Sequence, residues 1–361
     1  MSWYLIFFCI SALFLLVPLI PAIIEWRTKS DANPINIPAT YYNDATYFAQ
    51  GFRTFLTKNL PVFMRGEEQD EETINTRFEN GTPVQIVGKP GIKLNDVEIG
   101  TRETSKVLVS THPLVFADDM LFESEIYSQQ EIITGRDNYF RAILAEGKIS
   151  FGSGNKVLRW AHSERHVTAG ERCEFFGRVT AAEEIYFSKH TKVQRVYAPV
   201  IYFGLETKSK VHPKTHAFSE FSKIEDYVKL IDISGQRYLC EEIILPQNFY
   251  FKGDMVSRGK IVIGEGSYVI GNLKSNQEME IKDNTHIEGS VVSTNKITIG
   301  KNCTIKGPVI SEEEIIVSGG TIIGSPKIPA TLSAKRMEIA LGVVVYGTIW
   351  GLEYAMIGRT A

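Results

Sequence analysis

The chain has 361 residues, a length that accommodates two ordinary domains or one long repeat structure with additional elements. Its formal net charge of −3 argues against a dedicated nucleic-acid-binding protein, because such proteins carry a strongly basic surface. The four cysteines are far apart without a C-x-x-C pair, and none of the seven histidines lies at metal-ligand spacing from a cysteine. We therefore expect isolated reduced thiols, no metal, no cofactor, no small-molecule substrate and no nucleic-acid partner.

An uncharged apolar stretch, residues 3–24, begins the chain. As a helix rising about 1.5 Å per residue, it is long enough to span the roughly 30 Å hydrocarbon core of a bilayer. A basic n-region and an A-x-A cleavage site are missing, which favours an uncleaved anchor over a signal peptide. Basic residues follow the stretch and none precedes it, so the positive-inside rule places the bulk of the chain in the cytoplasm. We predict a single-pass inner-membrane anchor over 1–26, marked by Trp3, Phe7, Leu13, Leu16, Ile20 and Trp26 and followed by Arg27 and Lys29.

Residues 27–81 are predicted to form a linker and an amphipathic helix. Pro34 and Pro38 indicate an extended segment, and Asn43 or Asp44 is suited to cap a helix that continues to Leu60. The apolar face of that helix carries Phe48, Phe52, Phe55 and Leu56. This face lies either on a membrane or partner or against the protein body, and the sequence leaves both interpretations open. The acidic run at 67–72 predicts a solvated loop.

Residues 82–203 are predicted to contain an irregular cap and the first block of a β-solenoid. Apolar residues alternate over 82–128 without a clear period, which indicates strands. From there on, cores with the pattern x-apolar-x-apolar begin at positions 131, 148, 166, 184 and 200, in steps of 17, 18, 18 and 16. A near-constant period of this length is typical of a repeat protein in which each unit forms one coil.

The pattern is interrupted over 204–240. The first half of this insertion is basic, and the second half has Phe218, Phe221 and Ile224 at helical spacing. It is either a helix folded against the side of the solenoid or a docking element for a partner or for anionic headgroups. Insertions in repeat proteins often lie on the binding face, so these three residues are candidate docking residues.

The clearest repeat lies in the last segment, 241–361. Cores begin at Lys260, Glu278, Lys296 and Glu314, so the period is 18 at each step (278−260, 296−278, 314−296), and a glycine opens each row. Alternation points two apolar side chains of each core to one side, and only stacked coils can bury them. The predicted ladders are Ile261, Met279, Ile297 and Ile315, and Ile263, Ile281, Ile299 and Val317. The sequence therefore predicts an all-β fold, a parallel β-helix with one coil per period of 18 and with an N-terminal transmembrane helix.

The chain ends in an unusually apolar run, VVVYGTIWGLEYAMIG at 343–358. This run forms either the last coils with an apolar lid or an exposed end that meets another copy of the chain. Trp350 and Met356 are therefore further candidate docking residues.

The glycine-opened rows, such as IEGSVVSTNKITIGKNCTIKGPV, and the K-I-x-I-G-x-x-C/S-x-I/V pattern within them resemble the bactofilins, a family of polymer-forming cytoskeletal proteins. The resemblance covers about 131–203 and 242–325. It implies a right-handed β-helix, end-to-end self-association without nucleotide, membrane attachment and scaffolding of cell-envelope machinery. The long N-terminal region and the interrupted solenoid depart from the family plan. They favour a membrane-anchored member that serves one membrane protein complex, for example in envelope polysaccharide synthesis.

Two enzyme classes are alternatives to this non-catalytic scaffold. A hexapeptide-type acyltransferase on a left-handed β-helix is suggested by a period of three hexads, although the apolar steps run 6, 4, 6 and 2 rather than in sixes. Its catalytic histidine would be one of His190, His212, His216 and His286. A pectate-lyase-like enzyme would need clustered carboxylates, and the densest run near a coil is Glu312, Glu313 and Glu314.

Overall fold

The computed structural model describes residues 2–20, 44–65, 73–88, 93–94, 102–204, 230–234 and 236–358. The chain forms two compact units, residues 1–44 and 45–361. In the first unit, helix α1 (Ser2–Leu16) is followed by a short 3-10 helix (Val17–Leu19). Within the described residues, none of the helices has both the length and the apolar character required to cross a membrane. Residues 21–24, Trp26, Arg27 and Lys29 of the predicted anchor region lie outside the described residues.

The second unit begins with helices α2 (Tyr47–Asn59) and α3 (Pro61–Met64). The predicted start of α2 was wrong by a few residues, because Thr46 and not Asn43 or Asp44 occupies the N-cap position. Proline at the start of α3 is favourable, since the first N–H groups of a helix have no partner within it. The predicted acidic loop lies outside the described residues.

Strands make up the remainder of the second unit, in two blocks separated by residues 205–229. The strands of the first block are β1 Ile74–Arg77, β2 Pro83–Val87, β3 Lys93–Leu94, β4 Glu103–Thr104, β5 Val107–Ser110, β6 Leu114–Phe116, β7 Leu121–Ser128, β8 Ile132–Ile133, β9 Tyr139–Ala145, β10 Ile149–Phe151, β11 Lys156–Ser163, β12 His166–Ala169, β13 Glu174–Ala181, β14 Glu184–Phe187 and β15 Lys192–Phe203. The strands of the second block are β16 Leu230–Ser234, β17 Arg237–Cys240, β18 Ile243–Ile244, β19 Tyr250–Lys252, β20 Asp254–Ser257, β21 Ile261–Ile263, β22 Tyr268–Ile270, β23 Leu273–Ser275, β24 Met279–Ile281, β25 His286–Ile287, β26 Val291–Ser293, β27 Lys296–Ile299, β28 Thr304–Ile305, β29 Val309–Ser311, β30 Glu314–Val317, β31 Ile322–Ile323, β32 Ala330–Ile339 and β33 Val344–Ile357.

The predicted all-β solenoid is confirmed. The 33 strands of the described residues form one sheet wound into about 13 turns of about 18 residues. In the second block each regular coil has three strands, and each strand pairs in parallel with the third strand after it, as β21 does with β24. With neighbouring strands about 4.8 Å apart, 13 turns extend for roughly 60 Å.

The apolar side chains of successive coils stack in register inside the solenoid. Ile261 pairs with Met279, Met279 with Ile297, and Ile297 with Ile315, and none of the four is more than 1 % exposed. A parallel column runs through Ile263, Ile281, Ile299 and Val317. One hydrophobic core extends from the first block into the second, because the inward positions of both blocks belong to the same packed cluster.

Close packing also explains the glycine that opens each row of the second block. A Cβ atom on Gly289 would lie 2.1 Å from the carbonyl oxygen of Gly271, and one on Gly271 would lie 2.0 Å from that of Gly253. The backbones of successive coils therefore approach so closely at this corner that a side chain has no room.

The coils begin earlier in the sequence than the repeat indicated. β2 pairs in parallel with β5 and β5 with β7, so the stretch interpreted as irregular already belongs to the solenoid. The period is obscured there because Val84 pairs with Val107, a step of 23 (107−84) instead of 18. The outer end of each block carries an antiparallel hairpin, β1–β2 in the first block and β16–β17 in the second.

The two blocks meet at their C-terminal coils. β15 and β33 pair antiparallel, with Val196 opposite Ile349 and Val193 opposite Ala355. The second block therefore winds back toward the first, and each block covers the coil end that the other would leave open. We call this contact the junction. The apolar C-terminal run thus forms the last coil, β33, and pairs within its own chain.

Candidate docking surfaces

Helices α2 and α3 cover the outer face of the first block and form a second hydrophobic core there. Its buried members are Ala49, Leu56, Phe63, Phe78, Val84, Ile86, Val107, Val109, Tyr127, Ala142, Leu144 and Trp160. The Phe52 ring centroid lies 5.8 Å from that of Trp160, and the Phe55 centroid lies 4.8 Å from that of Phe78. Of the two interpretations of the amphipathic helix, the structure shows packing against the protein body.

An ionic network beneath α2, here called the helix clamp, holds the helix to this face. Arg53 donates from Nε and Nη2 to the two carboxylate oxygens of Glu146, at 2.8 and 3.0 Å. Its Nη2 also lies 2.5 Å from Oε1 of Glu164. The network continues on both sides, because Tyr127 donates to Glu146 at 3.0 Å, and His162 lies 3.2 Å from Glu164. One arginine thus joins two coils of the solenoid through a bidentate and a single contact.

The clamp contains a buried histidine. His162 is 2 % exposed, and its Nδ1 lies 2.7 Å from the hydroxyl oxygen of Thr180. Burial lowers the pKa of His162, although Glu164 opposes that shift, so the ring is neutral in the folded protein near neutral pH. Burial raises the pKa of Glu164, but hydrogen bonds from Arg53 and His162 and the adjacent charges leave it below the ordinary carboxyl value.

We expect the folded state to lose stability as the pH falls below about 6.5, the pKa of histidine in an unfolded chain. Below that value His162 becomes protonated in the unfolded chain but stays neutral in the folded protein. The free energy of unfolding therefore falls by at most about 1.4 kcal/mol per pH unit. The Glu164 contribution is lost only at lower pH, as the pH passes through its lowered pKa. Urea unfolding between pH 7.5 and 5 measures this slope.

The matched variants for that measurement are His162→Gln and Thr57→Ala. The first removes the titrating ring and is expected to flatten the slope between pH 6.5 and 5. The second changes an exposed residue of α2 that carries no titrating group, and it is expected to leave the slope unchanged. An unchanged slope in His162→Gln would contradict the assignment of the pH dependence to the clamp.

A second surface lies beside the junction, where large apolar side chains are exposed next to one another. We define this junction patch as Tyr47, Phe48, Phe176, Tyr197, Trp350 and Leu352, which are between 39 % and 67 % exposed. Two arginines connect its members. The Arg178 guanidinium lies 5.5 Å from the ring centroid of Phe48, and that of Arg195 lies 5.4 Å from the ring centroid of Trp350. Arg178 and Arg195 are direct neighbours on β13 and β15, and Arg195 pairs with Trp350 on β33.

The predicted docking residues fall in different places. Trp350 lies in the junction patch, whereas Met356 is only partly exposed and pairs with Lys192 across the junction. Phe218, Phe221 and Ile224 lie outside the described residues.

The two candidate catalytic histidines that the structure describes lie in different blocks of the solenoid. His190 lies at a corner beside the junction with φ of 60°, and its N–H donates to the carbonyl of Ile357. His286 lies on an outer face of the second block, where its ring stacks on Tyr268 with centroids 4.5 Å apart. His212 and His216 lie outside the described residues.

The acidic run at 312–314 divides between separate ion pairs. Glu313 pairs with Lys335 at 2.6 Å, and Glu314 pairs with Lys296 at 3.0 Å. Glu312 and Glu313 lie in the bend between β29 and β30, and Glu314 is the first residue of β30. This run therefore does not form the joined carboxylates that a lyase site would need.

Cys173, Cys240 and Cys303 are free and buried, as the expectation of isolated thiols requires. The thiols of Cys173 and Cys303 donate to backbone carbonyls of the preceding coil, Gly152 and Lys282. Burial raises the pKa of both to about 11, so they remain protonated and unreactive.

Sequence reasoning missed the helix clamp and Arg195. Glu146 and Glu164 are one period of 18 apart (164−146) and follow equivalent strands of successive coils, which was a usable signal for a shared partner. The position of Arg53 gave no such signal, because it lies outside the repeat. The stacking of Arg195 on Trp350 depends on the junction, which brings together two residues that are distant in sequence.

No protein-family model matches the chain, and neither a curated protein nor a solved structure matches it. The fold and the surfaces described above therefore provide the basis for assigning a function.

Proposed function

We propose that this protein is a non-catalytic, membrane-anchored scaffold of bactofilin type that docks a membrane protein complex of the cell envelope. The observation that carries the proposal is the junction, which joins two solenoid blocks into one sheet and one core. A closed solenoid of this kind is a rigid platform with a large lateral surface, which suits a scaffold. The uncharged stretch at 3–24 and the basic residues after it support a single-pass anchor with the solenoid on the cytoplasmic side.

The same junction favours a discrete particle over a filament. End-to-end growth requires open coil ends, and the C-terminal ends of both blocks already pair with each other. The outer ends carry antiparallel hairpins instead of regular coils. We therefore propose that partners dock along the sides of the solenoid rather than at its ends.

The test uses the full-length chain in the membranes of its own cells. We expect it to remain in the membrane after alkaline washing, to cross-link to one or a few membrane proteins, and to purify in detergent as short particles under the electron microscope. Long filaments of uniform width would contradict the discrete particle. A chain that is released by washing and cross-links to no protein would contradict the scaffold.

A further inference from the structure

The junction patch has the composition of a surface that meets a bilayer. Five of its six members are Tyr, Phe or Trp residues with neighbouring arginines, and Trp and Tyr favour the region between the headgroups and the acyl chains. Two of its rings lie beside guanidinium groups, and the exposed one of the two, that of Arg195, can also donate to phosphate oxygens. Phe176 lies in the bulge between Phe175 and Arg178, and Leu352 lies in the stretch of β33 between Trp350 and Ala355 that faces it across β15.

The charge around the patch is mainly positive. Arg159 on β11 and Arg195 on β15 are exposed, and Arg195 pairs with Trp350 of the patch. Glu353 is the exposed acidic residue directly next to Leu352. A second copy docked face to face through a two-fold axis would bring two positively charged patches together, which is unfavourable. An anionic surface complements them.

The chain enters the solenoid unit beside the patch. Arg178 donates from Nη1 to the carbonyl oxygen of Ala45 at 3.1 Å, so the polypeptide enters the solenoid unit at the edge of the patch. Residues 21–43 connect Ile20, the last described residue of the apolar N-terminal stretch, to this entry into the solenoid unit. These 23 residues span at most about 80 Å even when fully extended. A surface held within that distance of the N-terminal stretch meets the bilayer that holds the stretch at a raised effective concentration.

We propose that the junction patch rests on the anionic headgroup surface of the bilayer that holds the N-terminal stretch, so that the solenoid lies with its side against the membrane. This proposal rests on the membrane anchor of the proposed function. It adds a second membrane contact, carried by the folded solenoid, and it directs the opposite side of the solenoid toward protein partners.

The experiment measures the depth of a nitroxide label on the full-length chain in lipid vesicles. Cys9→Ser leaves three buried thiols, and Leu352→Cys then places one reactive thiol in the patch. The matched control is Ile244→Cys, which lies on β18 in the second block and is 50 % exposed. Oxygen and a water-soluble nickel chelate report whether each label lies in lipid or in water, in phosphatidylcholine vesicles with and without phosphatidylglycerol.

We expect the label at position 352 to be accessible to oxygen and protected from nickel in the anionic vesicles, and the label at 244 to remain in water. Replacing Arg159 and Arg195 by glutamine should lower the ratio of immersed to aqueous label at position 352. One basic group near an anionic surface corresponds to roughly a fivefold change in partitioning, which sets the expected size for each substitution.

The outcomes separate the anchor from the patch. A chain that floats with neutral vesicles while its label at 352 stays in water retains the anchor and overturns the patch contact. Flotation only with anionic vesicles and an immersed label at 352 supports the patch and contradicts the anchor. Failure to float with either vesicle contradicts both. Protection of the label from oxygen and nickel together, with dipolar broadening between labels, would assign the patch to a second copy and overturn the proposal.

Discussion

Replacing Ile349 by alanine is expected to lower the free energy of unfolding by about 2–5 kcal/mol, the usual range for a buried isoleucine. Ile349 is fully buried and lies at the junction, with Val196 of β15 on one side and Leu332 of β32 on the other. Stability in a repeat protein is approximately a sum of coil terms and nearest-neighbour terms. Weakening this contact should therefore uncouple the blocks, so that they unfold at separate urea concentrations.

Hydrogen exchange followed by mass spectrometry measures the two blocks separately during such a titration. Ile310→Ala is the matched control, because Ile310 is 39 % exposed on the outer face of β29, outside the shared core. We expect the control to change stability by less than about 1 kcal/mol and to keep the wild-type pattern. If Ile349→Ala behaves like this control, the junction does not couple the blocks.

The coils could be predicted from the sequence because their physical cause is local and repeated. An inward position that recurs once in every coil must be apolar each time, as it is at Ile261 and Ile297. The positions between two inward residues of a strand can be polar, because successive side chains of a strand point to opposite sides. The two ladders required no knowledge of how the ends of the solenoid are arranged.

The junction could not be predicted in the same way. Its pairing is antiparallel and joins residues far apart in sequence, so the repeat period does not show which strands form it. The shortened step to Val200 (200−184) and the lengthened step to Arg336 (336−314) showed only that the regular coil changes there. An open coil end exposes unpaired backbone groups, so each end needs a covering element. The sequence does not indicate which element covers which end.

The docking of α2 could have been predicted from a run of consecutive apolar residues in a strand of the first block. Val107, Leu108 and Val109 are consecutive apolar residues, and all three are buried. A strand that is apolar on both faces is covered on both faces, and here the inner core lies on one side and the helix on the other. The contacts of Arg53 depend on how the helix docks, so the helix clamp could not be predicted from the sequence.

The covering helix and the junction patch belong to one continuous outer face. Trp160 under the helix pairs with Arg178, and Arg178 pairs with Arg195 beside the patch. The helix thus covers the apolar positions of the first block, and the exposed patch begins where α2 starts, at Tyr47 and Phe48. A change that loosens the helix should therefore enlarge the apolar surface available to a membrane or a partner.

Leu56→Ala is the sharpest test of this covering role. Leu56 is fully buried in the second core, so its truncation is expected to weaken helix docking by about 2–5 kcal/mol while the inner core stays intact. Amide exchange should accelerate throughout α2, and a fluorescent dye for apolar surface should bind where Trp160 and Leu144 become exposed.

The control is Thr57→Ala on the same helix, since Thr57 is exposed and its hydroxyl bonds only to the carbonyl of Arg53 in the turn before. It should change stability by no more than about 0.5 kcal/mol. Exchange that accelerates equally in α2 and in the inward strands β21, β24 and β27 would show that helix and solenoid unfold together. In that case the helix would be part of the fold's main cooperative unit rather than a cover that opens on its own, and the patch would keep a fixed extent.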